Sequence, residues 1–87
     1  MEQESELYGP PAFEQGAKVK AIRAVRNDGT YPGVPIGVYL IDEGEIGYVK
    51  AIGTYLNRFY VYTIEFVDRG ILVGMRCHEL ECLESPR

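Results

Sequence analysis

Apolar and polar residues alternate along much of this 87-residue chain with the period of two that marks strands. The runs are short and are cut by glycine, asparagine and aspartate. The clearest run is residues 59–66, where Tyr60, Tyr62, Ile64 and Phe66 share one face and Val61, Thr63 and Glu65 the other. In residues 18–25, Lys18 and Lys20 oppose Val19 and Ala21 until the alternation slips at Ala21-Ile22 and again at Ala24-Val25. A helix-like spacing of Val19, Ile22 and Val25 competes there, but a bulged strand accounts better for a short, β-branched run. Residues 37–41 form an almost wholly apolar strand. Residues 46–55 form a long one interrupted by Gly47 and Gly53, and residues 71–75 a further one. Asp42-Glu43-Gly44-Glu45, Asn57-Arg58 and Asp68-Arg69-Gly70 supply the turns. Residues 76–80 predict a single helical turn and residues 81–84 a last short strand.

About five closely spaced strands without a true helix predict an all-β fold. The version expected is a small SH3-like, partly open barrel of about five strands, with one short helical turn near the C-terminus. Three segments follow: an acidic flexible arm over residues 1–16, the barrel over residues 17–84, and a tail over residues 85–87. The arm is glutamate-rich and contains Gly9-Pro10-Pro11, which continues neither a helix nor a ladder. Its large apolar groups are Leu7, Tyr8 and Phe13.

Charge sharpens this division. The net charge of −4 is that of Glu2, Glu4, Glu6 and Glu14 in the arm, because the 9 bases beyond it are matched by as many acids. A nucleic-acid partner is therefore not expected, since phosphate binding needs a surplus of lysine and arginine. Lys18, Lys20, Arg23 and Arg26 form at most a small basic patch. No stretch approaches the roughly 20 apolar residues of a membrane span. The acidic N-terminus is unlike a secretory signal. A cytoplasmic address follows as the expectation, with Cys77 and Cys82 as free thiols.

The most distinctive segment is Val25-Arg26-Asn27-Asp28-Gly29-Thr30-Tyr31-Pro32-Gly33. Asp28-Gly29 is a strong turn pair, Pro32 pushes Tyr31 to an extended shape, and Pro32-Gly33 suits the centre of a type II turn. The expected result is a compact loop presenting Tyr31, with Arg26 and Asp28 beside it. On the residues alone, a well-made barrel loop with no further role stays open.

This segment resembles the signature of the NifZ family of nitrogen-fixation accessory proteins. Similar elements follow in order: Gly37, Gly44 and Gly47; Val49, Gly53-Thr54 and Leu56; Tyr62, Ile64 and Phe66; then Val73-Gly74, Arg76 and Glu79-Leu80. The likeness covers residues 13–83. Two departures stand out. Many relatives continue into a second region, and the family often carries a cysteine after the valine–glycine pair, where this chain has Met75. No cysteine role is carried over. The resemblance implies a chaperone-like role in forming the P-cluster of the nitrogenase molybdenum–iron protein, with an immature form of that protein as partner. It implies no catalytic residues. Loop rigidity and aromatic exposure make Arg26, Asn27, Asp28, Gly29, Thr30, Tyr31, Pro32 and Gly33 the expected partner-binding residues, with Tyr31 as anchor.

The inventory of chemistry agrees with a non-enzymatic protein. His78 is the single histidine, and the serines, Ser5 and Ser85, lie toward the ends, so no nucleophile–base–acid set forms. Cys77 and His78 are adjacent and point apart. Cys77, His78 and Cys82 fall short of a four-ligand zinc or iron–sulfur site. The glycines do not follow a phosphate-loop or dinucleotide pattern. No cofactor or metal is expected. Of the 7 tyrosines, Tyr60, Tyr62 and Tyr48 are candidates for the core or half-core, and Tyr31, Tyr39 and Tyr55 for an exposed aromatic face. A different class of function is an electron-transfer accessory subunit, since small barrels of this kind resemble the variable chain of ferredoxin–thioredoxin reductase. Such a subunit would dock permanently beside a cluster-bearing partner.

Overall fold

The computed structural model describes residues 6–86 and is nearly all β. Its strands are β1 (Lys18–Ala21), β2 (Val25–Arg26), β3 (Tyr39–Ile41), β4 (Ile46–Tyr55), β5 (Phe59–Phe66), β6 (Ile71–Met75) and β7 (Leu80–Glu84). Short 3₁₀ turns lie at Glu6–Tyr8 and Cys77–Glu79. Five strands form one antiparallel sheet in the order β6-β5-β4-β1-β7, and β2 pairs with β3 in a separate ribbon.

Strands β4, β5 and β6 match the boundaries expected from alternation and turn residues. On β5 the period of two sends Tyr62, Ile64 and Phe66 fully inside, while Tyr60 is half-buried. Val19, Ala21, Ile41, Val49, Val73, Met75 and Leu80 meet them in a single core. Gly47 is present for a close approach. A Cβ there would stand 2.5 Å from Ile64 Cγ2 and 2.8 Å from the Glu65 carbonyl oxygen. The β4–β5 register shifts between Val49 and Ala51, not at either glycine.

Other boundaries move. The expected strand over residues 18–25 is two, because the chain leaves the main sheet at the first slip. Ala21 N–H donates to the Glu45 carbonyl and Ile22 N–H to the Glu79 carbonyl, both near 3 Å. The chain then re-enters pairing as β2, in the ribbon. The strand expected over residues 37–41 begins at Tyr39, since the Gly37 N–H turns back to the Asn27 carbonyl and the Val38 N–H to Pro35. Tyr48, expected toward the core, is 39% exposed, on the same side of β4 as Ile46. The helical turn near the C-terminus is 3₁₀, with the Glu79 carboxylate accepting the Arg76 N–H at 2.9 Å.

Residues 1–5 of the expected arm lie outside the described residues. The described part runs along the sheet. Tyr60 Oη donates to the Gly9 carbonyl and Ala12 N–H donates to Tyr62 Oη, each at 2.8 Å. Phe13 meets the Tyr62 ring edge-to-face at 5.1 Å, and Gly16 N–H donates to the Val49 carbonyl. Arg69 ties two turns together. Its guanidinium donates to Glu45 at 2.7–2.9 Å and to Asp42 at 2.8 Å. These hydrogen bonds from Arg69 hold the Glu45 carboxyl below the usual carboxylate range.

Candidate functional site

Asn27 organises the loop between β2 and β3. It is the buried polar side chain among the described residues, 2% exposed. Its Nδ2 donates to the carbonyls of Val34 (2.6 Å), Tyr31 (3.1 Å) and, more weakly, Pro35 (3.4 Å). Its Oδ1 accepts the Gly29 and Tyr31 N–H groups, each at 3.1 Å. The main chain adds a bond in each direction, Asn27 N–H to Val38 and Gly37 N–H to Asn27. One side chain thus satisfies backbone groups that would otherwise be buried unpaired, which is the condition for burying an amide at all. Asp28 builds a second, outward turn. Its Oδ1 accepts the Thr30 hydroxyl at 2.8 Å and the Thr30 N–H at 3.1 Å. These two bonds, the hydroxyl's first, lower its carboxyl pKa. Gly33 sits at φ +84°, the value a type II turn demands of the residue after Pro32.

The loop leans over the sheet edge and encloses a cleft of about 650 Å³. Arg26, Asp28, Thr30, Tyr31 and Pro32 line one wall, Leu72, Val73 and Gly74 of β6 the other, and Glu79 stands at the 3₁₀ turn. Tyr31 stands between two hollows. It is half-buried, packs on the core, and also lines a second hollow of about 320 Å³ with Val38, Tyr39 and Ile71. Arg26 is exposed, donates to the Gly37 carbonyl at 3.2 Å and lies 5.4 Å from the Tyr39 ring centroid, within cation–π range.

The three tyrosines expected on one aromatic face separate. Tyr31 and Tyr39 share the hollow beside Ile71, which pairs with Phe66 at one end of β5. Tyr55 packs on Phe59 at the other end, about 23 Å away at the rise of a strand. Cys77 is half-buried against the core and Cys82 is exposed on β7, neither joined in a disulfide, and His78 is exposed. Among the described residues no three or more His, Cys, Asp or Glu side chains come together as a metal site would need. No helix among them is long and apolar enough to cross a membrane.

Sequence reading treats Asn27 as one turn residue among several, whereas it is the one the loop closes around. The available signal is local: an asparagine two residues before a glycine forms an Asx-turn, as Asn27 does with Gly29.

The NifZ domain model matches residues 10–82. A relative from Sinorhizobium fredii that carries the NifZ name is 50% identical over 82 residues, covering 94% of this chain and 76% of the relative. Protein NifZ of Azotobacter vinelandii is 45% identical over 76 residues, covering 87% of this chain and 48% of that protein. Protein NifZ of Klebsiella pneumoniae is 34% identical over 76 residues, covering 87% and 51%. This chain spans about half the length of the last two. No solved structure matches it.

Proposed function

The chain belongs to the NifZ family of nitrogen-fixation accessory proteins, and on that premise we propose a chaperone-like, non-catalytic role in the cytoplasm. It binds an immature form of the nitrogenase molybdenum–iron protein and assists formation of its P-cluster. The observation that carries this reading is the family match over residues 10–82, which contains the whole Asn27-centred loop. We read the sheet and ribbon together as an SH3-like, partly open barrel that holds the loop in place. Residues 26–33 are the contact region. Their backbone is pre-organised by Asn27 and Asp28, which lowers the ordering entropy that a partner must overcome.

Recovery from nitrogen-fixing cells tests the role. Enrichment of the molybdenum–iron protein on the tagged chain is expected in cells stalled in P-cluster maturation and not in normal cells. Equal recovery of one stable cluster-bearing partner from both would replace this reading with a permanent accessory subunit. Tyr31→Ala is expected to lower the recovery while the sheet still melts cooperatively.

A further inference from the structure

The main sheet has two edges, and they differ in how they are guarded. Strand β7 is guarded in the ways that discourage edge pairing. It carries Glu81 and Glu84, an ion pair joins Glu81 to Lys20 at 3.4 Å, and its register with β1 shifts between Lys18 and Val19. Strand β6 has none of these protections. Its residues are Ile71, Leu72, Val73, Gly74 and Met75, without a charge or a proline, and its register with β5 runs unbroken over all five. Among the described residues it pairs with β5 alone. Leu72 is 52% exposed.

The cleft under the loop runs along this unguarded edge. Leu72 and Gly74 point to one side of β6 and Val73 to the other, yet all three line it. Space that touches both faces of consecutive residues follows the strand's rim, where its unpaired backbone groups lie, and not either face alone. The loop forms the far wall.

We infer that the β6 edge is a β-augmentation site: an extended, apolar-rich segment of the client polypeptide lies in the cleft and pairs with residues 71–75 as an added strand. Five residues of β6 offer about 17 Å of edge. The lining sets Asp28 and Glu79 against Arg26, which favours a segment that carries a basic residue. This inference rests on the maturation reading for the client's identity and stands on the edge for the mode of binding. Stretches that are strands in a finished protein are open to such pairing only while that protein is immature.

Two probes separate the claims. The first is a synthetic decapeptide of alternating valine and threonine with one lysine. The second is a set of overlapping peptides from the molybdenum–iron protein chains. Amide exchange on the full chain with the synthetic peptide is expected to show new protection at the alternate amides of residues 71–75 whose N–H groups point away from β5. Leu72→Lys puts a charge on the exposed side of the edge, which is expected to weaken binding about tenfold or more without lowering the melting temperature. Leu83→Lys on the guarded edge serves as the control and is expected to leave binding unchanged. Absence of new protection at those outward amides, or equal effects of the two variants, would overturn the inference. So would protection of the same amides in the free protein together with a dimeric mass, which would make a second copy the occupant. Pairing of the synthetic peptide with no binding by any overlapping peptide would sink the maturation reading and leave the edge site standing.

Discussion

The β4–β5 hairpin and the loop between β2 and β3 rest on the same core and are held by opposite physics. The hairpin is held by apolar area. Val49, Tyr62, Ile64 and Phe66 are each at most 1% exposed, and the strands pair from Tyr48–Glu65 to Tyr55–Phe59. The loop buries one polar group, and that amide donates three hydrogen bonds and accepts two that hold the loop's shape. Burial of apolar area is non-directional and shared, so losses there are felt by the whole domain. A polar plug is directional, so its loss is felt by the segment it ties. The pairing teaches where to look for a local conformational failure that leaves the fold intact.

Substitutions test this contrast. Phe66→Ala should have the largest effect, a loss of about 3–5 kcal/mol in denaturant titration, with all amides losing protection together. A loss confined to the neighbourhood of β5 would break the contrast. Asn27→Ala comes next, at about 1–3 kcal/mol, because the carbonyls of Tyr31 and Val34 lose their donor. Exchange at the Gly29 and Tyr31 amides should rise while β5 stays protected. Asn27→Asp sharpens the test. A carboxylate facing those carbonyls is disfavoured, so its folded-state pKa rises. The variant should therefore regain stability as pH falls through that raised value, and lose it again above.

Smaller effects belong to the hairpin's tip. Leu56 and Asn57 both sit at φ +54°, the mirror-turn geometry that glycine and asparagine accept easily, and Leu56 is 71% exposed. Leu56→Gly should stabilise by about 0.5–1 kcal/mol, less than the relieved strain because the unfolded chain gains freedom. Destabilisation would show that Leu56 packs on something in solution. Smallest of all is Glu45→Gln, since exposed ion pairs are screened. The Glu45 carboxyl is held low by Arg69, so its contribution is present above the ordinary glutamate pKa and fades as pH falls through the lower folded value. The variant should flatten the stability profile in that acid window and differ from the parent less in high salt.

Alternation and turn residues determined β4, β5 and β6 to the residue, the inward set Tyr62, Ile64 and Phe66, and the position of the distinctive loop. Those features follow from neighbours one to four positions apart, which is the range of strand period and turn chemistry. The tertiary structure alone decided the rest. Whether Asn27 goes inside depends on carbonyls from residues 31–35 folding back to meet it. Tyr31 is half-buried because β6 and β3 stand behind it, and Tyr48 is exposed because β4 turns that side outward. Gly9 to Gly16 lies on the sheet because Tyr60, Tyr62 and Val49 offer hydrogen-bonding groups from far along the chain. Docking of the segment is settled by partners far along the chain, and burial of Asn27 by the way the loop folds back over it, which strand period and turn chemistry alone do not encode.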